Sequence, residues 1–589
     1  MVAKTLKVAI VGGGPSGLVT LKTLLDLADR HSDIQVEASL FEAEDAIGGT
    51  FRYRSYQNAQ LVSSKQLTAF SDFRLPLNAP DHLSLNKYVE YLQDYVNHFK
   101  LQQRAHRFLL NTRVVHICRT SASDSIKNGH VVTWQTADGK QHTDTFTHLS
   151  LCSGLHVTPS YPEIPGVPPL TKTPIEELKQ KQDEKATKEE VKTQGALLSE
   201  SQGRIVALHS SSYKSPEIYK NKRVLILGTG ETGMDMGYEA VKARAKEIVM
   251  CTREGTEAGC NQWVGELPPE RLGRAYTFLN KSNKAIPYIN RSWKKRHWAL
   301  EKFARYLDPP TVSADEPGID LAPFPSHILP SGEVVFRRNN RKESKRMGNR
   351  HFKPDVIVFA TGYTQEFPFL DDSNGAYPVP ADAHCRDVFA YDDPSVSFIG
   401  FTRPGVGAIP PQAEMCAQLW SLVIAGKLEA PKDVGHYYLL ARPQARIKYG
   451  VDYSSYVSQL ARDMGSAPSL WDLWREYGIL VLFIYCFSAS FPTHYRLVGP
   501  WRDSSAVEIE KTEILETITR RGFGGNMMMG VIPMAFYAVV NVIAYIVEAT
   551  LHVAEYLFPT TCKRVANAVG LHGQKAYNSK STKTAKLMQ

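Results

Sequence analysis

The sequence predicts an α/β fold: two Rossmann-like dinucleotide-binding units and a helical C-terminal region. Two glycine-rich turns, each directly after a short apolar run, carry that prediction. The first turn, Gly12-Gly13-Gly14-Pro15-Ser16-Gly17, follows Val8-Ala9-Ile10-Val11. The second, Gly228-Thr229-Gly230-Glu231-Thr232-Gly233, follows Val224-Leu225-Ile226-Leu227. Short apolar runs bounded by glycine read as buried parallel strands, and Leu18 to Leu27 and Met234 to Arg244 read as the helices that complete each strand–turn–helix unit.

The spacing of the glycines has a physical reason. The first permits a tight turn, the second lets the backbone approach a pyrophosphate, and the third allows close helix packing, so that the helix N-terminus faces the anion. The strand after each helix distinguishes the two ligands. Val36 to Phe41 ends in Glu42, a carboxylate placed to accept hydrogen bonds from a ribose diol and to repel a 2′-phosphate, as the adenosine end of FAD requires. Ile248 to Thr252 ends in Arg253, a guanidinium that can fork onto a 2′-phosphate and so select NADPH over NADH. Plainer roles compete for both residues: Glu42 as a solvated surface acid, Arg253 as the ion-pair partner of the adjacent Glu254.

With both turns placed, the chain resembles the class B flavin-containing monooxygenases. Further stretches carry the likeness: Ile47-Gly48-Gly49-Thr50-Phe51, Ser71-Asp72-Phe73, His209-Ser210-Ser211-Ser212-Tyr213 and Phe359-Ala360-Thr361-Gly362-Tyr363. Ile399-Gly400-Phe401 with Gly407-Ala408-Ile409-Pro410 resembles the segment that closes over the flavin, and Tyr495 to Pro500 resembles the family's C-terminal signature. The resemblance implies an FAD domain interrupted by an NADPH domain. It implies cofactor-binding roles for Gly12, Gly13, Gly14, Pro15, Ser16, Gly17, Glu42, Gly49, Thr50, Phe51, Thr361 and Gly362, and for Gly228, Thr229, Gly230, Glu231, Thr232, Gly233 and Arg253. It also implies the reaction: NADPH reduces FAD, and a flavin hydroperoxide passes one oxygen atom of O2 to a lipophilic small molecule while the other leaves as water. No metal enters, and no side chain is assigned as catalytic; His209 and Tyr213 either shape the nicotinamide side of the pocket or serve structure.

The chain departs from the family pattern at three places. Gly203 and Ile205 stand where the identifying motif has an aromatic residue and a glycine before His209. Aligning back from Ser71-Asp72-Phe73 through Lys65, Val62 falls where heteroatom-oxidising members carry an asparagine beside the flavin, and Asn58 is out of register. Tyr213-Lys214 replaces the Trp-Pro that follows the histidine in Baeyer–Villiger members, which disfavours ketone oxygenation. An oxygenase acting on a secondary metabolite leads, with a Baeyer–Villiger enzyme or a non-oxygenating flavoprotein reductase or oxidase as alternatives.

The expected organisation is an FAD-binding part to residue 165, a charged linker or lid over 166–202, an NADPH-binding part over 203–350, a second FAD-binding part over 351–433, a helical region over 434–515, and a hydrophobic segment with a basic tail over 516–589. The chain of 589 residues is long enough for such cores. Its eight cysteines form no C-x-x-C pair, and the net charge of +9 is dispersed, against a disulfide scaffold, a zinc site or a nucleic-acid stripe. The first apolar run is already the opening strand, so the catalytic body is expected in the cytosol. Met527 to Val547 carries no charge and is long enough to span a bilayer. It reads as a membrane-associated segment, with the endoplasmic reticulum the expected location, although an interfacial or protein-packed helix is the alternative. The shorter Ile479 to Phe487 run reads as core. Orientation of the segment and oligomeric state are not encoded legibly.

Overall fold

The computed structural model describes residues 3–121, 126, 128–170, 205–252, 285, 288–289, 315–348, 350–405, 407–431, 438 and 450–557. Its first unit is built on β1 (Lys4–Val11), β2 (Ile34–Phe41), β3 (Arg107–Leu109) and, after a hairpin layer, β7 (His148–Leu151). The hairpin layer comprises β4 (Thr112–Arg119), β5 (His130–Thr136) and β6 (Gln141–Phe146). The second unit contains β8 (Val206–His209), β9 (Arg223–Leu227), β10 (Glu247–Thr252), β11 (Ile319–Pro323) and β12 (Val356–Phe359). The chain then returns through β13 (Leu370–Asp371), β14 (Phe389–Ala390) and β15 (Asp393–Phe398).

Two separate sheets result. The first has six strands in the order β14-β15-β7-β1-β2-β3, and the second has five in the order β11-β10-β9-β12-β8. In the second sheet every pair is parallel, which explains its uninterrupted apolar strands: both faces are covered. The β5–β6 hairpin runs in antiparallel register from His130–Phe146 to Gln135–Gln141, and Gly139, at φ +82°, supplies the left-handed turn at Asp138-Gly139.

One expected boundary moves. The strand Val356–Phe359 was expected to mark the return to the first unit, but it pairs residue for residue with Val224–Leu227 and with Val206–His209. It is an interior strand of the second sheet, and the return falls after it. An apolar run of four residues is buried equally well in either sheet, so pairing alone decides.

The helices pack as amphipathic or fully buried elements. α1 (Pro15–Arg30) lies against α4 (Ile409–Ala425), which is buried along almost its whole length. α2 (Leu85–His98) turns Tyr88, Tyr91, Leu92 and Tyr95 into the first core, α3 (Glu231–Lys242) follows the second glycine turn, and α5 (Tyr453–Asp463) packs on α4. Farther on, α6 (Gly478–Phe487) and α7 (Ile532–Leu557) expose apolar surface. The expectation that Ile479 to Phe487 is core holds for Val481 and Ile484 and in part for the half-buried Leu482, Tyr485 and Phe487, whereas Ile479, Leu480 and Phe483 face outward. The segment 171–200 and the tail beyond 557 lie outside the described residues.

Candidate functional site

Both glycine turns have the same internal logic. Gly12 sits at φ +114°, and a Cβ on it would stand 2.6 Å from the Cys152 carbonyl oxygen; a Cβ on Gly17 would stand 1.8 Å from the Gly12 carbonyl oxygen. Gly228 sits at φ +122°, and the matching distances are 2.3 Å to the Ala360 oxygen and, from Gly233, 2.2 Å to the Gly228 oxygen. First and third glycines are therefore dictated by the protein's own backbone. The middle ones are not: a Cβ on Gly14 would approach nothing nearer than the Gly49 Cα at 3.8 Å, and one on Gly230 meets nothing within 4 Å. Each middle glycine is the N-cap of its helix, α1 or α3, and neither cap has a side-chain hydrogen bond. The N–H groups and the positive end of each helix dipole are thus left without a side-chain cap, as a phosphate-bearing ligand requires.

Around the first turn the fold gathers Glu42, Gly49 and Gly400. Glu42 is buried, and its carboxylate accepts the Gly13 N–H at 2.6 Å and the Glu44 N–H at 2.9 Å. Burial pushes the Glu42 carboxyl above its usual range, while these two N–H donors pull the other way. This is a positioned acid, not the solvated surface acid that was the alternative. A carboxylate retains lone pairs beyond two such bonds, so it can still accept from hydroxyl groups. Gly49, at φ +53°, lies opposite Gly14, and Thr50 opens the short helix Thr50–Tyr53. Phe51 packs edge-on against Tyr88, with ring centroids 4.8 Å apart. Gly400 backs onto Ser16: a Cβ there would reach within 2.2 Å of the Ser16 hydroxyl oxygen.

Thr361 and Gly362 sit beside the second turn, because Ala360 is the residue that abuts Gly228. The Thr361 hydroxyl donates to the Ser160 carbonyl, and the Gly362 carbonyl accepts from Ser160 N–H at 2.9 Å and from His209 Nε2 at 3.2 Å. His209 Nδ1 accepts the Ser211 N–H at 3.1 Å. Burial pushes this imidazole down to about 4, so it is neutral near pH 7 and ties β8 to the Gly362 turn. Tyr213 is fully buried, stacked on Tyr219, and donates to Glu239 at 3.3 Å. Both residues serve the architecture. Glu231, in the first turn of α3, is exposed and pairs with Arg403 at 3.3 Å. Arg253 lies outside the described residues.

Sequence reasoning missed the seam between the two units. Tyr56 donates to Asp235 at 3.1 Å and Asn58 to Glu239 at 2.9 Å. The Lys214 ammonium donates to the carbonyls of Tyr53 and Ser55, each at 3.1 Å, and the Lys214 carbonyl accepts Gln57 N–H at 2.9 Å. Val62 lines the cleft formed here with Tyr56, Asn58, Asp235 and Glu239. The only sequence signals were the unusual Val62 and Lys214; their partners lie far along the chain.

Comparison with known proteins agrees with this geometry. Residues 5–186 and 198–550 match the family model of flavin-binding monooxygenase-like proteins. Monooxygenase cfoE of Aspergillus candidus is 35% identical, over 92% of this chain and 98% of its own. Human flavin-containing monooxygenase 2 is 26% identical, over 87% of this chain and 93% of its own. The solved S-allyl-L-cysteine S-oxygenase of Allium sativum shares the fold with a TM-score of 0.54 at 18% identity, covering 88% of this chain and all of that one. The chain belongs to the flavin-binding monooxygenase-like family. It is an oxidoreductase, a monooxygenase dependent on FAD and NADPH.

Proposed function

We propose that the first turn, Gly12 to Gly17, holds FAD together with Glu42 and the Gly49-Thr50-Phe51 segment, and that the second turn, Gly228 to Gly233, holds NADPH with Arg253 at its 2′-phosphate. Thr361 and Gly362 join the two sites. The observation that carries this reading is the middle glycine of each turn, held at a helix N-terminus without a side-chain cap, where a Cβ would meet no neighbour closer than 3.8 Å. FAD, reduced by NADPH, supplies the oxygen-activating chemistry. The protein's own residues position and exclude water. Glu42 orients the adenosine end, Lys214, Tyr56 and Asn58 hold the units together, and Val62 gives the cleft an apolar wall where hydrogen bonding would otherwise be offered.

The substrate is a lipophilic small molecule, in our reading a secondary metabolite that receives one oxygen atom. The likeness to monooxygenase cfoE of Aspergillus candidus supports this, and Val62 takes one hydrogen-bonding side chain out of a cleft that Asn58, Asp235 and Glu239 otherwise line. The body faces the cytosol at a membrane, in our reading the endoplasmic reticulum, with α7 as anchor. Its span Ile532–Ala554 is long and apolar enough to cross and is not buried by the protein. Lys214, occupied by the Tyr53 and Ser55 carbonyls, stands where Baeyer–Villiger members carry proline and favours the leading reading over ketone oxygenation.

The test measures oxygen consumed, NADPH consumed and peroxide released on a pathway extract, with products identified by mass spectrometry. A product heavier by one oxygen atom, formed in proportion to NADPH, is expected. NADPH oxidation that ends in peroxide with every extract would show a non-oxygenating flavoprotein instead.

A further inference from the structure

The helix α6 contains no charged or strongly polar side chain, yet only one of its faces is buried. Val481 and Ile484 point into the protein, whereas Ile479 is 69% exposed and Leu480 and Phe483 lie on the same outward side. A helix that meets water on one face normally places polar residues there. Just before it, Trp471 and Trp474 are 62% and 49% exposed, with ring centroids 4.9 Å apart. At the other end, Phe483 stacks on Phe487 at 4.5 Å. Phe487 in turn meets the root of α7: a Cβ on Gly530 would stand 2.8 Å from its ring, and Arg521 donates to its carbonyl at 2.9 Å. Outward apolar surface therefore runs along α6 to the base of α7, with Trp471 and Trp474 at its near end among the exposed charges of Asp472, Arg475 and Glu476.

We propose that this surface is a second membrane contact, a seat in the headgroup and upper acyl region on which the catalytic body rests beside its anchor. Two features select a bilayer over a protein partner. The patch adjoins the root of α7, so a spanning α7 brings it to the membrane plane. Its outermost residues include two indoles, rings with an apolar body and one N–H that favour the boundary between hydrocarbon and water. A surface helix without charge on its outer face, flanked by tryptophan, is the pattern of an interfacial element. The proposal rests on the membrane reading of α7, and the measurement below separates the two.

The full-length protein is reconstituted in phosphatidylcholine vesicles whose acyl chains carry bromine close to the headgroup, and its tryptophan emission is compared with that of the double variant Trp471→Phe/Trp474→Phe. The expected result is a bromine-quenched component in the natural protein that the double variant lacks, with that component shielded from aqueous acrylamide. If the emission lost in the double variant is instead insensitive to bromine and quenched by acrylamide, the seat does not exist. Shielding from both quenchers together with crosslinking between copies would equally overturn it, in favour of a protein interface. Resistance to alkaline carbonate reports α7 separately: release by carbonate from vesicles in which the indoles are quenched refutes the anchor and leaves the seat.

Discussion

Asn58 of the first unit donates a hydrogen bond of 2.9 Å to Glu239 of the second, and Glu239 also accepts from Tyr213. Glu239 is buried, so its oxygens need these hydrogen-bond donors. Replacing Asn58 by alanine removes one, at a cost of about 1–3 kcal/mol to the seam. The expected effect is on coupling more than on flavin binding: in Asn58→Ala more of the NADPH consumed ends as peroxide because the cleft admits water. An unchanged ratio of peroxide to NADPH would show that the contact does not guard the cleft.

The two kinds of glycine make a sharper contrast. Gly14→Val places a branched side chain that clashes with nothing in the protein where a pyrophosphate approaches, with the nearest neighbour of its Cβ, Gly49 Cα, at 3.8 Å, and should give a folded, colourless protein. Gly17→Val drives a side chain into the Gly12 carbonyl and should prevent folding of the first unit. Circular dichroism with flavin absorbance distinguishes them. A yellow Gly14→Val protein would remove FAD from this turn.

Arg253→Ala tests the coenzyme clamp. Loss of a charge-assisted bond should weaken NADPH by roughly 1.5–3 kcal/mol and leave NADH nearly untouched. Titrations of both coenzymes measure this, and equal losses would make Arg253 structural.

Val62 bears on the oxygenated atom. Its side chain offers neither donor nor acceptor to the cleft, so simple tertiary amines and sulfides should turn over poorly, with NADPH oxidation ending mainly in peroxide. Efficient coupled oxygenation of such amines would show that Val62 is no handicap.

A fifth prediction concerns acid stability. Arg496 bonds the Ser71 hydroxyl and lies 2.7 Å from Glu414 and 2.9 Å from Asp72, all buried, while Lys22 also contacts Asp72. Burial alone would raise the Asp72 carboxyl, but the Arg496 and Lys22 charges outweigh it and hold it below the ordinary range. A carboxyl depressed in the fold contributes stability above its unfolded pKa of about 3.9, and that contribution fades as pH falls through the folded value. Arg496→Ala should destabilise by about 3–5 kcal/mol and raise the midpoint of acid unfolding by about one pH unit. Unfolding curves across pH 3 to 7 check both; an unshifted acid limb would show that the cluster is not the acid-sensitive element.

The parts of the fold legible in the sequence were those where one residue type answers one local demand. Gly17 is required by the Gly12 carbonyl in the same turn, Gly12 by its own positive φ, and the strand before each turn ends in a continuous apolar run. The Val356–Phe359 strand was misplaced because an apolar run states that it is buried, not beside which neighbour. Ile479 to Phe487 was read as core for a related reason: apolarity does not distinguish protein from lipid surroundings. The seam through Asn58 and Lys214 was illegible because its acceptors, Glu239 and the carbonyls of Tyr53 and Ser55, come together only after both units fold.

The position of Arg496 also imposes an order on biosynthesis. Lys22 and Asp72 are made early, but Asp72 and Glu414 gain their full complement of positive charge only when Arg496 arrives. A nascent first unit therefore holds its ionic core incomplete until residue 496 is made, in a state prone to expose apolar surface. Since α7 follows Arg496 closely in sequence, closure of the body and emergence of the hydrophobic helix fall within the same short interval of synthesis. Truncations that stop before Arg496 should therefore be substrates for chaperones and proteases, however intact their two glycine turns.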